Sequence, residues 1–140
     1  MKTIVLCLIA SLLLAAGCDK KRSDGVPAQA KLPEITGKWS GRWESGKHKG
    51  HGGKLDCGVT KSGENEWGAV FTAEFGKIKD YKIALKGKPA GDKVLFGGEV
   101  DLGKDDGGVF KWSGEATANE FAGKYEGGGD TGTFSMRRAP

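Results

Sequence analysis

From Thr36 to the C-terminus the chain alternates apolar and polar residues with a period of two, through eight short stretches. Successive side chains of a β-strand point to opposite sides, so this pattern describes strands with one buried face rather than helices of period 3.6. The first stretch sets Trp39, Gly41 and Trp43 against Lys38, Ser40, Arg42 and Glu44. The second places Leu55, Cys57 and Val59 on the apolar side, and the third Trp67, Ala69, Phe71, Ala73 and Phe75. Tyr81, Ile83 and Leu85 carry the fourth; Val94, Phe96, Gly98, Val100 and Leu102 the fifth; Phe110, Trp112, Gly114 and Ala116 the sixth. Phe121, Gly123 and Tyr125 form the seventh, and Phe134 and Met136 the eighth, with Thr133, Ser135 and Arg137 facing the other way.

The joints are short and rich in turn formers: Ser62–Asn65, Pro89–Asp92, Asp105–Gly108 and Gly127–Asp130, with only Ser45–Gly53 long. Short joints make successive strands antiparallel neighbours. Eight such strands with one apolar face either close into a barrel or split into two packed sheets. Glycine, 25 of 140 residues, sits beside large rings on the apolar face at Gly41, Gly98, Gly114 and Gly123, where it permits bends and close backbone approach. The pattern therefore predicts an all-β fold, a single eight-stranded antiparallel meander barrel over residues 35–140, with a small β-sandwich as the alternative. Lys38-Trp39-Ser40-Gly41 recurs as Lys111-Trp112-Ser113-Gly114, an echo of a repeated hairpin unit.

Residues 1–17 read as a targeting segment. Lys2 gives a basic start, Ile4 to Ala16 is almost wholly apolar, and Leu14-Ala15-Ala16-Gly17-Cys18 puts small residues before a cysteine. This segment resembles the lipobox of bacterial lipoproteins, with Leu14 one place earlier than usual and Ala15 in its position. An ordinary secretory peptide is the other reading. The resemblance implies cleavage after Gly17, acyl chains (palmitate among them) on Cys18, and a lipid anchor in a bacterial membrane, facing periplasm or exterior. Two or three acyl chains hold far more firmly than one, at about 0.8 kcal/mol per buried CH₂. Residues 18–34 are polar, contain Pro27 and Pro33, and read as a flexible linker, with Lys20, Lys21 and Arg22 beside the anchor. With Cys7 removed and Cys18 acylated, Cys57 has no intramolecular partner.

The start of the barrel region, Ile35-Thr36-Gly37-Lys38-Trp39, resembles the first strand of calycin barrels (lipocalins, fatty-acid carriers, avidins), which often begin Gly-x-Trp. In many lipocalins a basic residue near the last strand packs over that tryptophan. The resemblance implies a cation–π contact between Trp39 and Arg137 or Arg138. A lipocalin-like disulfide pair and an avidin-like set of polar biotin contacts are absent from the sequence.

Other constellations carry little chemistry. His48, His51 and Cys57 make H-x₂-H-x₅-C, but lysines flank the histidines and Cys57 alternates with core residues, so no metal is expected. Asp101, Asp105 and Asp106 miss the spacing of a calcium loop and read as turn chemistry. Without a nucleophile motif, a metal-hydrolase motif or a phosphate loop, the chain is expected to be no enzyme and to need no cofactor. A net charge of +4 made of interleaved signs gives no nucleic-acid footprint. The expected function is a non-enzymatic envelope lipoprotein whose filled barrel serves as a structural or interaction module. Its loop Lys47, His48, Lys49 and His51 would meet an envelope protein or cell-wall polymer. The alternative is a calycin-like carrier of a small apolar ligand, and a lysozyme-inhibitor-like role is the third reading. Whether the interior is filled or hollow decides between the first two.

Overall fold

The computed structural model describes residues 31–75 and 78–140 and, of residues 75 and 78–81, the backbone alone. The targeting segment 1–17, the proposed lipidation site Cys18 and most of the linker lie outside the described residues.

The eight strands are β1 (Gly37–Ser45), β2 (Gly52–Gly63), β3 (Glu66–Phe75), β4 (Ile78–Ala90), β5 (Lys93–Asp101), β6 (Val109–Ala116), β7 (Glu120–Gly127) and β8 (Asp130–Arg138). Each pairs antiparallel with the next, and β1 pairs with β8, so the sheet is a closed barrel in meander order. Closure removes the unpaired edges that an open sheet would expose. Among the described residues the one departure from strands and turns is a single 3₁₀ turn, Lys104–Asp106, between β5 and β6. The alternation does not foretell it, because a single turn between strands has no period of two.

Burial follows the period of two. Leu55, Cys57 and Val59 are buried on β2, Phe110 and Trp112 on β6, Phe134 and Met136 on β8. No polar or charged residue is buried among the described residues. Two inward glycines bring strands close: a Cβ at Gly41 would stand 2.0 Å from the Ser135 carbonyl oxygen, and one at Gly123 2.2 Å from that of Ser113. Only a residue without a side chain fits there.

A meander puts its joints alternately at the two ends of the barrel. One end holds the start of β1 and the end of β8 and is sealed. Ile35, fully buried, plugs it, and its carbonyl accepts the indole N–H of Trp39 at 3.0 Å. Trp39 meets Phe121 edge-on at 6.0 Å, and Phe121 packs on Phe96 at 4.9 Å and Phe71 at 5.3 Å. Leu32, inside the stretch read as linker, packs against this core, so the chain joins the barrel before residue 35. The other end carries the β1–β2, β5–β6 and β7–β8 joints and is open. The expectation of a filled interior is thus corrected for half the barrel: rings stack to closure at the sealed end but stand around a void at the open one.

Candidate functional site

The void at the open end has a volume of about 420 Å³, within the ~300–1,000 Å³ of small-molecule sites. Its wall is built from inward residues nearest the open-end joints: Trp43 from β1, Ala73 from β3, Ile83 from β4, Phe110 and Trp112 from β6, Tyr125 from β7. Its rim is polar, with His48 and His51 from the first joint, Asp105 and Asp106 from the 3₁₀ turn, and Asp130 at the start of β8. The sheet is loosest beside it. Among the described residues β4 and β5 pair only over Lys86–Ala90 with Lys93–Gly97, leaving a seam between Ile83 and Leu102, both of which line the cavity.

The rings on the wall hold one another. Tyr125 lies 5.1 Å from Trp112 and 6.0 Å from both Trp43 and Phe110, centroid to centroid. The Trp43 indole N–H donates to the Glu74 carbonyl at 2.8 Å, tying β1 to β3. The Tyr125 hydroxyl donates to Asp130 Oδ2 at 3.2 Å. Burial first, then the nearby Asp130 charge, pushes the Tyr125 hydroxyl well above the usual phenol range, so it stays a donor. Burial works against the Asp130 charge, but hydrogen bonds outweigh it: from the Ser45 side chain, from the amides of Lys47 and Thr131, and from Tyr125. Together they hold its carboxyl below the usual range.

Trp112 differs from its neighbours. It is only 7% exposed, and its Nε1–H is sealed from solvent with no acceptor among the described residues. A buried donor left unpaired costs about 1–3 kcal/mol. The unpaired donor is packed within the wall and does not open onto the cavity surface.

The first joint folds over the mouth. Its backbone is fixed by Ser45 N–H to the His51 carbonyl (2.8 Å), His51 N–H to the His48 carbonyl (2.9 Å) and His48 N–H to Ser45 Oγ (2.9 Å). His51 sets its edge against Trp43 at 5.4 Å, with His48 6.3 Å further out. Lys47 and Lys49 are exposed, so the loop splits into outward lysines and histidines that border the cavity. Cys57 is not brought to these histidines. It sits opposite Trp39 in the sealed half, and burial pushes its thiol up to about 12, which leaves it an inert core residue. Among the described residues no group of three or more His, Cys, Asp and Glu stands ready for a metal ion. Asp101 accepts the Gly103 amide at 2.9 Å and stays out of the cavity.

At the sealed end Arg138 lies over the Trp39 ring, 4.5 Å from its centroid, and donates to the carbonyls of Thr36, Glu34 and Ala118. Arg137 points outward, opposite Ser40 and Glu120. Strand parity separates the two arginines: Phe134, Met136 and position 138 share the inward side. The wall residues Trp43, Phe110, Trp112 and Tyr125 were legible as core but not as a site. The signal for a site was topological, since the odd-numbered joints of a meander share one end, and His48, His51, Asp105 and Asp106 sit in them while Asp130 follows the last one.

No family model and no curated protein matches the chain. Among solved structures, that of a mutant of the fluorescent protein UnaG is similar over 76% of this chain and 96% of that one, at 12% identity and a TM-score of 0.44. A likeness that distant transfers nothing to this chain beyond the comparison itself.

Proposed function

We propose that this chain is a membrane-anchored binding module that carries one small, mostly apolar molecule in the open end of its barrel. The 420 Å³ aromatic-walled cavity supports this reading. A packed interaction module has no use for an aromatic-walled void of this size at one end of its barrel. The carrier reading therefore replaces the filled-barrel one. Native mass spectrometry of protein isolated from its own membranes tests it. A bound small molecule at one per chain is expected; a chain that arrives empty and takes up no apolar probe would contradict it.

The anchor is part of the same proposal and rests on the lipobox-like residues ending at Cys18. The barrel supports it in one respect. The chain enters at the sealed end, strapped by Arg138, so a tether attached there leaves the opposite, open end unobstructed. Cys18→Ser is expected to move the protein from the membrane to the soluble fraction. Retention of the variant in the membrane would remove the lipid anchor from the proposal and leave the cavity reading intact.

A further inference from the structure

We infer that the molecule held in this cavity is an organic cation: a flat apolar body bearing an ammonium or similar group that sits at the rim. The inference rests on the binding reading above and names its ligand class. Among the described residues the formal charges that line the cavity are one-sided. The chain as a whole is basic, with 22 Lys and Arg against 18 Asp and Glu. Yet the charged residues lining the cavity are Asp105, Asp106 and Asp130, and no Lys or Arg lines it among the described residues. Lys47 reaches the β7–β8 turn, its Nζ 3.9 Å from where a Gly129 Cβ would stand, and Lys104, which precedes Asp105 in the 3₁₀ turn, does not line the cavity either. Lys77, in the joint between β3 and β4, lies outside the described residues, and of Lys79 only the backbone is described.

Beneath the acidic rim lie rings. Tyr125 stands at the centre of Trp43, Phe110 and Trp112, each within 5.1–6.0 Å of it. Aromatic faces attract cations through their quadrupole, most strongly where water is excluded. An acidic rim over an aromatic wall therefore favours a cation twice, by charge at the entrance and by ring faces below. It disfavours a carboxylate, which would meet Asp105 and Asp106 with no described guanidinium or ammonium to receive it.

Calorimetric titration of the full chain with three probes sharing one body tests this: naphthylmethylamine, naphthylmethanol and naphthylacetate. The amine is expected to bind about tenfold more tightly than the alcohol, the scale of a cation–π contact plus a rim ion pair. The acetate should bind most weakly, and the amine's lead should shrink as salt screens the rim. In an Asp105→Asn/Asp106→Asn variant the amine's lead over the alcohol should fall severalfold. An alcohol or acetate that binds as tightly as the amine, or a lead that survives the double substitution, would overturn the cation assignment and leave the binding reading standing. If none of the three binds, both fail.

Discussion

The two ends of this barrel are made from the same materials and arrive at opposite results. Each has inward tryptophans and phenylalanines, glycines that let strands touch, and a tryptophan whose indole N–H closes on a backbone carbonyl: Trp39 on Ile35 at one end, Trp43 on Glu74 at the other. At the sealed end Ile35 enters from outside the sheet and is fully buried, Leu32 packs against the core, and Arg138 holds the segment through the Glu34 and Thr36 carbonyls. At the open end no described segment plays that part. The joints lie around the rim instead, and the space that a plug would occupy remains as the cavity. The difference between a core and a site here is one short strap of chain, not a different composition.

Truncating a ring at each end gives the largest contrast. Phe121→Ala removes a fully buried ring with aromatic neighbours on several sides and is expected to cost about 3–5 kcal/mol. Phe110→Ala removes one that already borders a void and should cost roughly half as much, because fewer contacts are lost. Urea denaturation of the two variants measures the gap, and equal losses would erase the distinction between the ends.

Backbone closeness, by contrast, should not distinguish them. A Cβ at Gly41 meets Ser135 O at 2.0 Å, and one at Gly132, near the open end, meets Glu44 O at 2.2 Å. Gly41→Ala and Gly132→Ala are each expected to lose about 1–3 kcal/mol, whereas Gly58→Ala, with nothing within 4 Å, should be near neutral in the same thermal melts. A large loss only at Gly41 would mean that the open end is looser in its backbone as well as its packing.

The strap is a smaller test. Arg138→Ala should destabilise by about 1 kcal/mol, the size of an exposed cation–π contact with its accompanying hydrogen bonds. Arg138→Lys should recover only part of this, having no planar fork. Probe binding at the far end should be unaffected by either.

The smallest effect concerns pH at the open end. Asp130 has a carboxyl pKa held below its ordinary 3.8, so its contribution is present above that value and fades as pH falls through the lower native one. Protonation weakens its hold on Tyr125 and on the Lys47 amide. An Asp130→Asn chain should therefore lose less stability than the wild type between neutral pH and pH values below 3.8. Parallel acid titrations followed by circular dichroism show this as a shallower limb.

Most of the fold was legible because burial in a barrel depends on parity alone. Trp39, Leu55, Phe71, Phe96, Phe121 and Met136 declare their inward side two residues at a time, and turn residues mark each joint. Parity also selects Arg138 over Arg137 as the partner of Trp39, once Phe134 and Met136 are placed inward. The cavity was not legible, because a void depends on how ring sizes sum across eight strands and on whether a segment plugs the axis. Neither has a period. The unpartnered Trp112 donor was hidden for the same reason: its sequence echo, Trp39, finds a carbonyl on the strap, and nothing local in Lys111-Trp112-Ser113-Gly114 says that Trp112 will not.

The central claim, that the open end is a site and not a packing defect, is most directly tested by titrating a neutral apolar fluorophore such as N-phenylnaphthylamine into the wild type and an Ala73→Phe variant. Ala73 is buried on the cavity wall, so the added ring fills the void with little need to move backbone. Saturable binding at one per chain, with energy transfer from tryptophan, is expected for the wild type, and its loss for a variant that melts at or above the wild-type temperature. Absent or non-saturable binding to the wild type, or equal binding to both chains, would contradict the claim.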